Sequence, residues 1–322
     1  MGSNFIHFVL ANHKGAEVIN LDLLTYAGNL KNLSGVPGNS YKFVKGDIND
    51  ADLVKKMMRR ADFVVNFAAE THVDRSIHGK AADFVRTNID GVHSLLEALR
   101  QSPNVKKMVH ISTDEVWGDL SLDSKEKFRE DTAFQPNSPY AASKAAGDLL
   151  VRAYVRTYGV PAIVSHSVNN FGPRQFPEKL IPFFSLRAMN NEKLPLYGDG
   201  KNVRDWIYVD DHTAAILTLL EKAQAGDIYA ISRGEEYSNI EIAGKILKIL
   251  KKPKSLITFI KDRPGHDRRY SVDSSKLRKL GWKPRYSFDE QLKKTVGWYR
   301  KNKQWLSGVL KKSSNINVHI KI

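Results

Sequence analysis

Two short stretches decide how this sequence folds: Met108-Val109-His110-Ile111-Ser112-Thr113-Asp114-Glu115 and Pro139-Tyr140-Ala141-Ala142-Ser143-Lys144. The first is an apolar run that ends in polar residues, as a buried parallel strand does where it reaches the edge of its sheet. Ligands bind at the carboxyl edge of strands in open α/β folds. The second stretch leads into a helical pattern, so a strand and a helix carry the candidate chemistry.

Tyr140 and Lys144 stand four residues apart, so on a helix they share one face. An ammonium group beside a phenol favours the phenolate and lowers a pKa that is ordinarily about 10. Such a phenolate can act as a base near neutral pH. Thr113, Asp114 and Glu115 add a hydroxyl and two carboxyl groups at the strand end. The YxxxK spacing alone often occurs by chance, whereas its pairing with a strand ending in Thr-Asp-Glu is specific.

Helical and strand patterns alternate over the first half of the chain. Alternation of this kind predicts βαβ units, a parallel sheet and a doubly wound, Rossmann-like α/β fold. The predicted helices are 3–13, 51–60, 83–101 and 139–158, and the predicted strands are 17–22, 41–44, 62–67, 105–112 and 160–165.

Asp22 carries information about a cofactor. It ends a predicted strand and lies 20 residues after Gly2, the spacing between a dinucleotide-binding glycine turn and the acid that binds the ribose. A carboxylate there favours NAD over NADP, although an aspartate after a strand is also an ordinary turn residue. Together with the YxxxK pattern we interpret it as a ribose ligand. Asp47-Ile48 and Phe67-Ala68-Ala69 end the next two strands, where adenine and the nicotinamide ribose are expected.

The regular alternation ends near residue 169. A new helix begins within 176–182, and residues 196–206 are polar, basic and loop-rich. We therefore predict an NAD-binding domain over residues 1–168, to which 205–230 returns, and a mainly substrate-binding domain over 169–322.

The 322 residues carry a net charge of +15, and it is unevenly placed. Residues 241–322 contain 22 Lys+Arg against 6 Asp+Glu. Such a basic segment attracts nucleic acid or an anionic small substrate. Helix-turn-helix and zinc-finger signatures are missing from the sequence, so we predict no nucleic-acid partner. Arg204 and Arg263, in two loop-rich clusters, are candidates either for bidentate contacts to a diphosphate or for surface salt bridges.

The sequence contains no cysteine, which excludes disulfides and thiolate metal sites and fits a cytoplasmic location. His72 and His266 have no second ligand at metal spacing, so no metal site is predicted. Because no run of 18 apolar residues occurs, no membrane span is predicted.

Together these residues resemble the extended short-chain dehydrogenase/reductase family and, within it, the dTDP-glucose 4,6-dehydratases. The likeness runs from Gly2 to about Arg300. Sugar-nucleotide epimerases share the YxxxK but typically have small hydroxyl residues where Asp114 and Glu115 stand. The matching stretches are Asn20 to Leu30, Phe67 to Ser76, Ser112 to Val116, Pro139 to Lys144, Gln175 to Pro182, Gly198 to Tyr208 and Asp262 to Tyr270.

The resemblance implies roles for these residues in converting dTDP-glucose to a 4-keto-6-deoxy sugar with NAD. Tyr140 takes the proton of the 4-OH, Thr113 positions that oxygen, Glu115 removes the C5 proton, and protonated Asp114 donates to the leaving C6 hydroxyl. The implied cofactor contacts are Gly2, Asp22, Leu23, Thr25, Asp47, Ile48, Phe67, Ala68, Ala69, Thr87, Tyr140, Lys144 and Asn170. The implied substrate contacts are Thr71, Asn169, Lys179, Leu180, Pro195, Tyr197, Arg204, Asn239, Arg263, His266 and Asp267.

Three features depart from the family pattern. Trp117 replaces the usual tyrosine, and Ser165-His166-Ser167-Val168 differs from the usual approach to Asn169. The strand and glycine-rich turn that precede Gly2 in the family are missing. We expect the natural protein to begin about ten residues earlier, and the printed chain to bind NAD poorly and to be unstable, because that strand is buried on both faces.

Two other hypotheses stay open on the sequence alone. One is a sugar-nucleotide epimerase, which the Asp114-Glu115 pair disfavours. The other is a non-catalytic nucleotide-sugar-binding relative without its dinucleotide loop. The resemblance also implies a homodimer formed through the helices at 83–101 and 139–158, and a nucleotide-diphosphate sugar as the small-molecule partner.

Overall fold

The computed structural model describes residues 1–311 as alternating strands and helices. The strands are β1 (Val18–Asp22), β2 (Tyr41–Lys45), β3 (Phe63–Asn66), β4 (Lys107–Thr113), β5 (Ala162–Ser167), β6 (Asn169–Phe171), β7 (Leu194–Tyr197), β8 (Val203–Tyr208), β9 (Ile228–Ile231), β10 (Glu236–Ser238) and β11 (Ile257–Ile260). The helices are α1 (Gly2–Asn12), α2 (Ala51–Met58), α3 (Val73–His78), α4 (Ala81–Val85), α5 (Gly91–Arg100), α6 (Pro139–Tyr158), α7 (Leu180–Met189), α8 (Val209–Lys222), α9 (Asn239–Leu250), α10 (Ser275–Lys279), α11 (Phe288–Lys301) and α12 (Lys303–Lys311).

All nine predicted elements of the first half are present, and α6 has the predicted bounds. The helix predicted over 83–101 is divided into α4, a π-helical turn (Arg86–Asp90) and α5. The prediction that 196–206 is mainly loop was wrong, because β7 ends and β8 begins within it. Gly198 and Gly200, both at positive φ (56° and 71°), form the tight turn between these strands and gave the segment its loop-like composition.

The central sheet has the order β3-β4-β5-β9, and all its pairs are parallel. Successive residues of β4 point to opposite faces. Met108 packs into a core with α2 and α5, and Val109 packs into a second core with α8 on the other face. Helices therefore cover both faces of a parallel sheet, which confirms the doubly wound α/β fold.

Strands β1 and β2 form a separate parallel pair, in register from Val18 opposite Tyr41 to Asp22 opposite Lys45. Within the described residues no hydrogen-bonded ladder joins this pair to β3. Strand β3 is therefore an edge strand of the central sheet, and the β1–β2 pair forms a second sheet with edges of its own.

The second half of the chain has its own apolar core, in which Phe171, Phe184, Trp206 and Leu292 are buried. Two small sheets cover it, with the orders β10-β8-β6 and β11-β7. Strand β9, although late in the sequence, pairs with β5 of the central sheet. The division into domains stays a prediction, and residues 312–322 lie outside the part of the chain described here. Within that part no helix combines the length and apolarity that crossing a bilayer requires.

Candidate active site

The turn after β4 holds three of the predicted catalytic residues. Thr113 ends the strand, and residues Asp114–Trp117 form one turn of 3-10 helix. The Thr113 hydroxyl accepts a hydrogen bond from the Glu115 N–H at 3.3 Å and donates to Asp114 Oδ1 at 3.2 Å. The turn therefore fixes one hydroxyl and two carboxyl groups at the carboxyl edge of the central sheet.

Helix α6 brings Tyr140 and Lys144 to the same place. Ser138 caps the helix, its hydroxyl accepting from the Ala141 N–H at 3.1 Å, and Pro139 occupies the first turn. Tyr140 and Lys144 are both buried. The structure thus brings together all five predicted catalytic residues, from one strand end and the first turns of one helix.

The two carboxyl groups differ in their surroundings. Burial, with the charges of Glu115 and Asp205, raises the pKa of Asp114 well above its usual range. One oxygen of Asp114, Oδ2, is buried and has no hydrogen-bond partner among the described residues. Burial also raises the pKa of Glu115, but the nearby guanidinium groups of Arg263 and Arg204 oppose that rise. Asp114 is thus held as the acid and Glu115 as the stronger candidate for the anion.

The sequence predicts that the Lys144 ammonium lies beside the Tyr140 hydroxyl, whereas the structure shows a different hydrogen-bond partner for it. The Lys144 ammonium donates to the carbonyl oxygen of Ile111 at 2.7 Å. Burial and the Glu115 charge raise the pKa of Tyr140 well above 10, while a hydrogen bond with Thr113 lowers it. The prediction that Lys144 lowers the pKa of Tyr140 below its usual value was therefore wrong, because desolvation and the neighbouring carboxyl groups dominate.

A cluster of charged and aromatic side chains lies beside the carboxyl pair. Arg263 donates to Asp74 Oδ1 at 2.9 Å, and the Tyr197 hydroxyl donates to the other oxygen of Asp74 at 3.4 Å. The ring of His266 packs edge-on to Tyr197, 5.8 Å between centroids, and its Nδ1 lies 2.6 Å from Asp262. Arg263 is therefore half-buried in a network that also reaches Glu115, and its ion pair with the buried Asp74 is not a surface salt bridge.

Arg204 is enclosed as well. Its guanidinium donates to the carbonyl oxygens of Val203 (2.7 Å) and Asp267 (2.8 Å) and lies 4.1 Å from the centroid of the Tyr270 ring. The Asp267 carboxylate accepts from Asn137 Nδ2 at 2.6 Å and from the Tyr270 hydroxyl. The surface salt-bridge alternative thus fails for Arg204 too.

The remaining predicted substrate residues surround this centre less closely. Lys179 donates to the Thr71 carbonyl oxygen at 2.8 Å and acts electrostatically on Glu115. Leu180 begins α7, Asn169 begins β6 and Asn239 begins α9. Pro195 lies within β7, and no side-chain hydrogen bond ties it or Asn239 to the carboxyl pair.

The predicted cofactor residues lie at the carboxyl ends of β1, β2 and β3. Gly2 begins α1 and lies against the Phe67 ring. Asp22 is exposed and accepts from the Leu24 N–H at 2.7 Å, so it does serve as a turn residue. Asp47 accepts from the Asn49 N–H at 2.9 Å and forms an ion pair with Arg86 at 3.0 Å.

The other predicted cofactor residues lie in the segments that follow these strands and in the helical turns beside them. Leu23 and Thr25 are exposed in the loop after β1, Ile48 is buried beside Gly91, and Thr87 lies in the π-helical turn. Ala68 and Ala69 follow β3, where the Ala68 N–H donates to the Asn66 side chain at 3.1 Å. Asn170 donates to the Val168 carbonyl oxygen at 3.0 Å, and its Oδ1 is buried without a partner in the described chain.

Sequence reasoning missed several buried polar residues. Asn88 accepts from the Glu70 N–H and donates to the Glu70 carbonyl and to Ser143, each at 2.9–3.0 Å, so it ties the segment after β3 to α6. Asp74, which holds Arg263, and Asp205, which acts on Asp114, were also missed. The one available signal was a charged or amide residue inside an otherwise apolar helix or strand.

Two of the departures from the family pattern touch each other. The centroids of the Trp117 and His166 rings lie 4.6 Å apart, and both residues are buried.

Within the described residues no group of three or more potential metal ligands occurs.

Comparisons with known proteins agree with this geometry. A family model described as GDP-mannose 4,6 dehydratase matches residues 1–295. A dTDP-glucose 4,6-dehydratase of Xanthomonas campestris is 47% identical, over 96% of this chain and 93% of its own. The low-salt glycan biosynthesis protein Agl12 of Haloferax volcanii is also 47% identical, over 93% and 95%.

Solved structures give the same result. That of DesIV, a dTDP-glucose 4,6-dehydratase from Streptomyces venezuelae with NAD and TYD bound, has a TM-score of 0.92 and 45% identity, covering 96% of each chain. A UDP-glucose 4-epimerase from Thermotoga maritima has a TM-score of 0.85 and 28% identity, covering 93% and 95%. Fold, site and matches define the class of extended short-chain dehydrogenases/reductases that dehydrate nucleotide sugars. Within that class, the chain belongs to the family of dTDP-glucose 4,6-dehydratases.

Proposed function

We propose that this chain converts dTDP-glucose to dTDP-4-keto-6-deoxyglucose, with NAD as its cofactor. The observation that carries the proposal is the convergence of Thr113, Asp114 and Glu115 with Tyr140 at one sheet edge. Relatives that are 45–47% identical to this chain are named for the same reaction. An epimerase needs only the oxidation at C4, whereas a dehydratase also needs an acid and a base for elimination.

NAD fits the residues that line the ends of β1 to β3. Asn170 Oδ1 is a buried acceptor without a partner in the described chain, as a cofactor-side contact requires. Asp22 would bind the adenosine ribose, helped by Leu23 and Thr25, with Asp47 and Ile48 at the adenine. Gly2, Phe67, Ala68, Ala69 and Thr87 would lie along the remainder, and Lys144 near the nicotinamide ribose. When bound, NAD supplies the hydride acceptor and donor of the reaction.

The nucleotide diphosphate would bind where Arg204, Arg263 and Lys179 concentrate positive charge near Glu115. Arginine forks match phosphate oxygens. Tyr197, His266 and Asp267 would complete this side of the site. Thr71, Asn169, Leu180, Pro195 and Asn239 would be further substrate contacts.

The protons move through four side chains. Once ionised to the phenolate, which its hydrogen bond with Thr113 favours, Tyr140 would take the proton of the glucose 4-OH, and the Thr113 hydroxyl would hold that oxygen. Oxidation at C4 makes the C5 proton acidic, and Glu115 removes it. Asp114, kept protonated by burial, gives its proton to the C6 hydroxyl, which leaves as water. The hydride removed from C4 then returns to C6, and C5 regains a proton from Glu115, which gives the 4-keto-6-deoxy sugar.

We further propose that the protein is a cytoplasmic homodimer. The helices expected at the interface, α4 to α5 and α6, expose Val85 (48%), Leu149 (52%) and Tyr158 (50%). Each of these exposed apolar side chains is a candidate for contact with a second copy of the chain. The absence of cysteine from the sequence fits a reducing compartment. Sedimentation velocity of the protein tests the dimer, which a purely monomeric boundary at micromolar concentration would exclude.

The proposed reaction is tested by incubating the protein with NAD⁺ and either dTDP-glucose or UDP-glucose. We expect dTDP-4-keto-6-deoxyglucose from the first sugar, identified by NMR and by the loss of one water in its mass. Formation of a C4 epimer without loss of water would replace the proposal by the epimerase hypothesis. Binding of the sugar with no turnover would replace it by the non-catalytic one.

A further inference from the structure

Helix α6 carries a third ionisable residue in line with the two already described. Tyr140, Lys144 and Asp148 follow one another at intervals of four residues, so they form a stripe along one helix face. Asp148 is 2% exposed. A carboxylate so deeply buried is costly unless it is paired, so its surroundings show what it does.

The Asp148 carboxylate is held from two strands. Its Oδ2 accepts from the Ser112 hydroxyl at 2.7 Å and from His166 Nε2 at 3.0 Å. Its Oδ1 faces His110 Nε2 at 3.5 Å. Burial would raise the pKa of Asp148, but the His166 hydrogen bond and the charges around it hold that pKa below its usual range. The carboxyl group is therefore an anion at neutral pH.

The two histidines beside Asp148 both turn Nε2 toward its carboxylate. Burial lowers the pKa of His110 to about 3. The Asn66 side chain accepts from the Ala68 N–H, so its amide donates to His110 Nδ1 at 3.1 Å. The single ring proton of His110 therefore lies on Nε2, which points at Asp148. His166 Nε2 lies 3.0 Å from Asp148 Oδ2, and its buried Nδ1 has no hydrogen-bond partner among the described residues.

Lys144, one turn before Asp148 on α6, is a cation that helps to balance this carboxylate. Its Nζ lies 3.4 Å from His110 Nε2 and donates to the Ile111 carbonyl oxygen. Burial lowers the pKa of Lys144 to about 8, and Asp148 opposes that fall. The other titratable groups near the stripe are Asp114 and Glu115, which act on Tyr140.

We propose that Asp148 is a positioning residue that keeps Lys144 in its charged form during the reaction. The inference rests on the proposed roles of Tyr140 and Lys144. It differs from a purely structural role for Asp148, in which the carboxylate would only join α6 to β4 and β5 through Ser112 and His166.

The variant that tests this is Asp148→Asn, which keeps the shape and the acceptor oxygen but removes the charge. The ¹⁵Nζ resonance of Lys144, identified by its loss in Lys144→Arg, gives the titration midpoint without any turnover. We expect the midpoint to fall by about 1 pH unit or more, the usual effect of losing an opposite charge nearby. An unchanged midpoint overturns the proposal.

The pH profile of the first hydride transfer gives a second reading. Removing the negative charge of Asp148 lowers the pKa of both Tyr140 and Lys144. Ionisation of Tyr140 sets the acid limb of the profile and loss of the Lys144 charge sets the alkaline limb, so both limbs move to lower pH in Asp148→Asn. The matched control is Ser112→Ala, which removes a hydrogen bond to the same carboxylate but not its charge. It lowers stability and leaves both limbs in place, and Asp148→Glu restores the parent profile. Equal shifts in Ser112→Ala would show a structural role only.

Two outcomes separate this inference from the proposed function. If Tyr140→Phe transfers hydride normally, the catalytic assignment fails while the Lys144 titration still decides the role of Asp148. If Asp148→Asn does not fold, the ¹³C carboxyl resonance of Asp148 in the unmodified protein decides. It stays at its ionised position at neutral pH if the proposal holds, and a protonated carboxyl there overturns it.

Discussion

Asp114 and Glu115 are neighbours in sequence but lie in different electrical environments. Asp114 is 2% exposed beside Asp205, whereas Glu115 faces Arg204 and Arg263. One carboxyl group is therefore held neutral and the other is the stronger candidate for the anion. A chain that places two like residues in unlike surroundings obtains an acid and a base from one dipeptide.

The raised pKa of Asp114 has a consequence for stability. A group whose pKa is higher in the folded state stabilises the fold at low pH, and that stability is lost as pH rises from the unfolded value near 4 toward the folded pKa. Asp114→Asn has no such loss. We expect its melting temperature to match the parent near pH 4 and to exceed it by about 2 °C or more at pH 8.

Melting curves at several pH values check this, with the exposed Asp123→Asn as the control. The control should follow the parent at every pH. A difference between Asp114→Asn and the parent that does not grow with pH contradicts the assignment of Asp114 as a protonated acid.

For individual residues, the sequence predicted which side chains lie together but not which of them are charged. Thr113 to Glu115, Tyr140 and Lys144 were found from spacing, since a strand end and an i,i+4 pair fix directions. The pKa of Tyr140 could not be predicted, because it depends on burial and on residues distant in sequence. Asp148 continued the same helical spacing and could have been found.

Helix α6 is the element on which the site depends most. Ser138 Oγ accepts from the Ala141 N–H, and this first turn holds Tyr140. Loss of such a cap costs about 0.5–2 kcal/mol. We expect Ser138→Ala to melt at a lower temperature and to transfer the first hydride several-fold more slowly at saturating cofactor and substrate.

The matched control is Asp50→Ala, which removes the cap of α2, a hydrogen bond from the Leu53 N–H at 3.0 Å. It should lose comparable stability but keep the parent rate of hydride transfer. Equal slowing in both variants would mean that global stability, and not the first turn of α6, sets the rate.

Elements with strong local signals were predicted well, and those set by tertiary packing were not. The proline at the first turn of α6 and Gly159 at its end, in the left-handed conformation, mark both bounds in the sequence. The π-helical turn before α5 has no such mark. Strand β8 is stabilised by its pairing with both β6 and β10 over a shared core, which no local pattern reveals.

For the whole molecule, the fold class followed from the alternation of strands and helices. Two features did not follow from it. One is the pairing of β9 with β5, which needs contacts between residues more than 60 positions apart, although the return of residues 205–230 to the first domain was predicted. The other is the separation of the β1–β2 pair from β3.

The uneven charge is also a property of the whole molecule. The positive excess after residue 240 should draw in an anionic diphosphate over long range. We expect kcat/KM for dTDP-glucose to fall with added salt while kcat changes little, because salt screens exposed charges beyond about 8–10 Å. Reversing two exposed lysines, Lys248→Glu with Lys251→Glu, should flatten this dependence.

A salt-independent kcat/KM contradicts the steering argument. Tight, sequence-selective DNA binding at about 0.15 M salt would instead reassign the basic surface to nucleic acid. Filter-binding with unrelated duplexes at that salt concentration distinguishes the two.

The central claim is that Glu115 removes the C5 proton after oxidation at C4. The most direct test mixes Glu115→Gln with NAD⁺ and dTDP-glucose in D₂O and follows the near-ultraviolet absorbance of reduced nicotinamide together with deuterium at C5. Tyr140→Phe is the control, in which no reduced nicotinamide should form. For Glu115→Gln the account predicts that reduced nicotinamide appears while deuterium at C5 and the 4-keto-6-deoxy product do not. Product formed at near the parent rate, with deuterium at C5, would contradict it.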